Sequence, residues 1–189
     1  MVLPEKLRAM VKPVRAGAPW GNVVILHGIL GSHLTDTGET IWLNPWSLLE
    51  GKLERLRVGS GTGEARVEAS GLIKMYYGKQ MLALGARWNV RAFAYDWRLG
   101  LEEGARALGE AMDRWFARGE TVHLVGHSMG GLVARAYLAQ RPGHNGRLVM
   151  LGTPNRGSYA IPQLLQGMHS LLTPLALLDL AHTRSQVLD

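Results

Sequence analysis

The sequence predicts an α/β domain built on an open, mostly parallel sheet with helices on both faces. Three observations lead there. Four short apolar runs of six or seven residues stand at Asn22–His27, Asn89–Tyr95, Thr121–Gly126 and Arg147–Gly152. Glycine or a turn residue closes each of them, and segments with apolar residues at helical spacing lie between them. Nearly continuous runs of this length, partly β-branched or aromatic, suit strands buried in a parallel sheet. Their alternation with helices gives βαβ units.

Taken in order, the first strand (NVVILH) ends at Gly28. The stretch Thr35–Gly71 then breaks the alternation and is expected to be an insertion. It holds Trp42, Trp46, a short helix near Pro45–Lys52 and the glycine-rich Gly59–Gly63. That glycine tract reads as a flexible turn, since no Lys-Ser/Thr pair follows and no strand feeds into it. A weaker helix is expected over Met75–Ala86, before the second strand.

The next helix has two distinct faces. Leu101, Ala105, Leu108, Met112, Trp115 and Phe116 form the apolar one, and Glu102, Glu103, Arg106, Glu110, Asp113 and Arg114 the polar one. After the strand at Thr121–Gly126, Met129–Gln140 repeats the pattern with Leu132, Val133, Ala136 and Tyr137. Pro142-Gly143 stops it. Beyond the strand at Arg147–Gly152, Leu164, Met168, Leu171, Leu175 and Leu178 keep a three-four spacing interrupted by Pro174. Residues 161–189 are therefore expected to begin a cap, packed as core or acting as a lid against a lipid surface. The whole of 1–189 is expected to be one domain.

Composition narrows the function. The 189 residues are 47% hydrophobic and include six tryptophans, which excludes a disordered chain. With no cysteine, disulfides, thiolate metal sites and cysteine nucleophiles are excluded. The net charge of +6 comes from 21 Lys and Arg scattered beside 15 acids, so it suggests a solvated basic surface and no nucleic-acid partner. No secretory pattern opens the chain and no run of about 18 apolar residues occurs, which predicts a cytoplasmic location.

The chemistry is concentrated at Gly126-His127-Ser128-Met129-Gly130, a G-x-S-x-G element. An apolar strand leads in and a helix leads out, so Ser128 is expected at a sharp strand-to-helix turn. Small residues two before and two after it let neighbouring backbone pass. At a helix N-terminus, unpaired N–H groups and the dipole favour developing negative charge, so the Met129 amide is a candidate oxyanion donor. A second donor is expected from the turn after the first strand, where Gly28 lets the chain fold back and aim the Ile29 amide. His27 is expected to shape that loop, and His127 to pack or bond at the helix start, neither acting as the base.

Val24–Ser32 (VILHGILGS) and GHSMGG resemble lipases of the α/β-hydrolase fold. With TIWLN (Thr40–Asn44), ASGLI (Ala69–Ile73), RAFAYDWRL (Arg91–Leu99) and LGTPNRGS (Leu151–Ser158), they are similar to the lecithin:cholesterol acyltransferase family. The resemblance implies acyl transfer from a lipid ester, through an acyl-serine, to an alcohol or to water. It makes Ser128 the nucleophile, Ile29 and Met129 the oxyanion amides, and implies no metal or organic cofactor. Asp96 and Arg98 of the YDWR string are expected to pair internally or cap a helix, or to contact substrate. Animal members carry proline where His27 stands, and disulfides that this chain cannot form. His27 instead matches bacterial lipases, which favours plain ester hydrolysis.

In this fold the acid and base follow the serine in the chain. After Ser128 the only acids are Asp179 and Asp189, and the only histidines are His144, His169 and His182. Asp179 and His182, three apart, read as surface or cap residues. His144 is expected in an exposed turn and His169 packed in an apolar stretch. The expectation is an N-terminal part of a longer enzyme whose triad acid and base lie further on. The alternatives are a non-lipid carboxylesterase or thioesterase on the same fold, and a non-catalytic hydrolase-like binding module.

Overall fold

A computed structural model of the chain describes residues 18–42, 44, 55, 56, 58, 67–159, 162 and 163. Its elements are β1 (Asn22–Leu26), β2 (Ser32–Asp36), β3 (Glu39–Trp42), β4 (Glu68–Leu72), α1 (Lys74–Gly85), β5 (Asn89–Phe93), α2 (Leu101–Trp115), β6 (Val122–His127), α3 (Met129–Gln140) and β7 (Leu148–Leu151). They fall into two compact units, one of residues 1–32 and 71–153, the other of 33–70 and 154–189.

The first unit carries a sheet in the order β5-β1-β6-β7. Every pairing in it is parallel. The central strand β1 supplies side chains to two cores because successive residues of a strand point to opposite faces. Val24 and Leu26 join Phe93, Tyr95, Val122 and Leu124 under helices α2 and α3. Val23 and Ile25 join Leu72 and Tyr77 on the α1 side, with Met81, Leu84 and Trp88 packed around them. The result is a mixed α/β unit consistent with an α/β-hydrolase-like fold.

Helix α2 buries Ala105, Leu108, Ala111 and Met112 and turns its charged residues outward. A Cβ at Gly104 would lie 3.2 Å from the Val133 methyls, so glycine there permits the close approach of α2 and α3.

The second unit contains the three-stranded sheet β3-β2-β4. Strands β2 and β3 form a hairpin closed by Thr37 and Gly38, both at positive φ (48° and 85°). Two consecutive left-handed residues suit the right-handed twist of the flanking strands. Arg55 donates to both Asp36 (Nε to Oδ2, 2.9 Å) and Glu39 (2.9 Å), holding the two carboxylates that flank the turn. Asp36 is 5% exposed, so this partner offsets the cost of burying its carboxylate.

One expectation needs correction. The run at Arg147–Gly152 is not a buried strand: Val149, Met150 and Leu151 of β7 are exposed, because β7 is an outer strand of the described sheet. The region Thr35–Gly71, expected to be an insertion, supplies most of a small sheet. The expected helix near Pro45–Lys52, the Gly59–Gly63 turn and most of the cap at 161–189 lie outside the described residues.

Candidate active site

Strand β6 runs into Ser128, and α3 begins at the following residue. Ser128 has φ 51° and ψ −122°, a conformation that L-residues rarely adopt and that persists only where the surroundings impose it. Those surroundings can be named. The Ser128 N–H donates to the Leu151 carbonyl of β7 at 2.8 Å, and the Gly131 N–H donates to the Ser128 carbonyl at 3.1 Å.

Close backbone packing explains the glycines around it. A Cβ at Gly126 would stand 2.5 Å from Gly131 Cα, and one at Gly130 would stand 2.5 Å from the His27 carbonyl oxygen. A Cβ at Gly131 would strike Thr153 Oγ1 at 1.9 Å. The first turn of α3 therefore lies directly against the ends of β1 and β6. At its start the Met129 N–H has no intrahelical acceptor.

The turn after β1 passes beside Ser128. A Cβ at Gly28 would lie 2.9 Å from Ser128 Cβ and 3.2 Å from His127 Nδ1, so only glycine fits. The Gly28 backbone is held at both ends. Its N–H donates to the Tyr77 hydroxyl at 2.8 Å. Its carbonyl accepts from His27 Nδ1 at 2.7 Å and from the Gly31 N–H at 3.1 Å. The Gly28–Ile29 peptide is planar and trans, so fixing that carbonyl also fixes the Ile29 N–H in the opposite direction. Ile29 itself is exposed at the surface of the turn.

His27 is fully buried and stacks on Tyr95 with ring centroids 4.1 Å apart. Its Nε2 accepts from the Tyr95 N–H at 3.2 Å, while the Tyr95 hydroxyl donates to the His27 carbonyl at 2.8 Å. With Nδ1 donating and Nε2 accepting, the ring is the neutral tautomer. Burial brings its pKa down to about 4, against a smaller upward pull from the Gly28 carbonyl. His27 thus links β1 to the end of β5 and has no ring nitrogen left for proton transfer at Ser128.

Asp96 is likewise committed. Arg98 grips it with Nε to Oδ1 at 2.9 Å and Nη2 to Oδ2, and the Arg98 N–H adds a bond to Oδ1 at 3.0 Å. Both side chains are about nine-tenths buried, so the pair is a structural clasp behind β5.

The remaining described histidines of this unit have other partners. His123 Nδ1 accepts from the Arg147 N–H at 3.1 Å. His144, expected exposed, is half-buried: its Nε2 donates to the Val122 carbonyl at 2.9 Å, and burial lowers its pKa. His127 bonds the Tyr77 hydroxyl through Nδ1 at 2.9 Å rather than the start of α3. His169, Asp179, His182 and Asp189 lie outside the described residues. Among the described residues, no group of three or more His, Asp or Glu could hold a metal ion.

The structure thus brings His27, Gly28, Ile29, Gly126, His127, Ser128, Met129 and Gly130 together at the carboxyl ends of β1 and β6, with Asp96 and Arg98 after the neighbouring β5. Sequence reasoning missed Tyr77, Gly131 and Thr153. Gly131 had a legible signal, the doubled glycine after Met129. Tyr77 had only its place in the weaker helix expected before the second strand, which says nothing of its hydroxyl.

Comparison with known proteins adds two findings. The model of the lecithin:cholesterol acyltransferase family matches residues 73–176, more than half of the chain. Uncharacterized protein YJR098C of Saccharomyces cerevisiae is 28% identical over 159 residues, or 72% of this chain. The chain spans 23% of that protein's length.

Proposed function

The chain belongs to the lecithin:cholesterol acyltransferase family, and we propose that it cleaves a lipid ester through an acyl-serine on Ser128, passing the acyl group to water or an alcohol. The observation that carries the proposal is the strained Ser128, held at φ 51° with the Gly28 turn against its Cβ. In the first step Ser128 Oγ attacks the ester carbonyl and loses its proton to a general base. The carbonyl oxygen becomes an oxyanion facing the Ile29 and Met129 N–H groups. Collapse breaks the acyl–oxygen bond, and the base returns the proton to the departing alcohol. Water or an acceptor alcohol then repeats the sequence in reverse on the acyl-serine. His27, His123, His144 and Asp96 are held by other partners, so none of these four supplies the base or its orienting carboxylate.

An apolar rim supports a lipid substrate. Ile29 and Leu99 are exposed just past the ends of β1 and β5. Met75 and Tyr76 are exposed in the first turn of α1, next to Ile73, whose N–H is bonded to Gly31 of the oxyanion turn. Such a rim suits an acyl chain or the surface of a lipid aggregate better than a small polar ester.

The test is turnover of p-nitrophenyl esters in a chain-length series. The Ser128→Ala variant should lose at least about a thousandfold in kcat, as expected when a nucleophile acting through a triad is removed. Wild-type protein should prefer long or aggregated esters over acetate. Turnover retained by Ser128→Ala would exclude the acyl-serine, and a preference for acetate would exclude the lipid substrate.

A further inference from the structure

We propose that Tyr77 is a positioning residue for acyl transfer, a single hydroxyl that ties the oxyanion turn to the nucleophile turn. The inference rests on Ser128 being the nucleophile. Tyr77 lies on α1, an element separate from both turns, and its side chain is buried against Val23 and Ile25 of β1. Its oxygen is 2.8 Å from the Gly28 nitrogen and 2.9 Å from His127 Nδ1. Gly28 immediately precedes the oxyanion residue Ile29, and His127 immediately precedes Ser128.

The chemistry of the hydroxyl suits both contacts at once. A phenol carries one proton and two acceptor lone pairs. It accepts the Gly28 N–H and can donate its own proton to His127 Nδ1, the arrangement in which the ring proton of His127 sits on Nε2. The buried phenol is further from ionising than a free tyrosine, so it keeps its proton across the neutral range. A Cβ at Gly31 would approach the Tyr77 oxygen to 2.9 Å, so the glycine leaves the hydroxyl its place.

Two consequences follow. The Gly28 amide is consumed by Tyr77, which leaves the Ile29 amide as the donor of that turn for the oxyanion. And the separation between that amide and Ser128 is set by two hydrogen bonds to one atom, not by the stiffness of two loops. Positioning of this kind acts on the transition state more than on substrate binding.

The experiment compares wild type, Tyr77→Phe, His127→Ala, the double variant and Ser128→Ala, all in the intact protein, with long-chain p-nitrophenyl esters. Removal of the hydroxyl should lower kcat by about ten- to a hundredfold with KM within about twofold, the range expected for small misplacements of reacting groups. His127→Ala should give a fall of the same kind, and the double variant should be no worse than Tyr77→Phe. Amide exchange of Gly28 should accelerate in Tyr77→Phe, and the His127 ring nitrogens should lose the fixed Nε2–H tautomer in nitrogen NMR.

If Tyr77→Phe fails to fold, His127→Ala tests the same bond, since that side chain is otherwise exposed. Wild-type kcat in Tyr77→Phe or in His127→Ala, with Ser128→Ala inactive, would overturn the role of Tyr77 alone. Activity in Ser128→Ala would instead overturn the nucleophile, whatever the NMR shows for the Tyr77 bonds.

Discussion

Acidification should withdraw about 3 kcal/mol of stability through His27 alone. The ring is fully buried, and burial places its pKa near 4 against an ordinary value of 6.5. In the unfolded chain the imidazole binds a proton once the pH falls below about 6.5, whereas the folded ring stays neutral until about 4. Between those values the unfolded state holds more protons, so stability is fully present above the unfolded value and is lost as the pH falls toward the folded one. The gap of about 2.5 units, at about 1.36 kcal/mol per unit, gives a loss of about 3 kcal/mol by pH 4. His144 is shifted in the same direction. The contribution of His27 is therefore isolated as a difference between wild type and His27→Gln, measured by urea unfolding at intervals from about pH 8 to 4. The stability advantage of wild type should shrink by about 3 kcal/mol over that range. In parallel, the His27 ring resonance should not move between about pH 8 and 5. A ring titrating near 6.5, or a wild-type advantage independent of pH, would refute the buried, doubly bonded imidazole. The same protonation would set a ring N–H against the Tyr95 N–H, so ester turnover should fail at the acid end of the range.

Two further perturbations address the geometry at Ser128. Ser128→Gly removes the strain of a non-glycine residue at φ 51°, which is of order 1–3 kcal/mol, against an entropic loss of up to about 1 kcal/mol for the added glycine. Thermal unfolding should show a net gain of about 1 kcal/mol in a protein without esterase activity, and a destabilised variant would mean the backbone is relaxed there. Gly130→Ala would drive a methyl to 2.5 Å from the His27 carbonyl oxygen and 2.6 Å from that of Leu26, neither of which can rotate away. Chemical denaturation should register a loss of at least about 3 kcal/mol, and a loss below about 1 kcal/mol would show that α3 can withdraw from β1.

Much of this architecture was legible because its signals are local. Strand runs, the two faces of α2 and the glycines around Ser128 are properties of neighbouring residues, and α3 spans Met129–Gln140 as its spacing predicts. The small sheet β3-β2-β4 was not legible: its strands are four or five residues long, and its hairpin turn is Thr-Gly, a weaker signal than Asn-Gly. Nor did the apolar composition of β7 reveal its exposure, since burial depends on which elements cover a strand.

By itself the sequence determined the order of the elements, the placement of Ser128 at a strand-to-helix junction and the glycines that such a junction requires. These follow from the 3.6 and 2.0 periodicities and from the space a missing Cβ leaves. Only the tertiary structure decided the partners. Tyr77 and His127 are 50 positions apart, and His27 and Tyr95 are 68 apart. Hydrogen bonds over such separations have no periodic trace, because they depend on how α1, β1, β5 and β6 are laid side by side. The same packing decided that His27 is a neutral structural ring and that Asp96 belongs to Arg98.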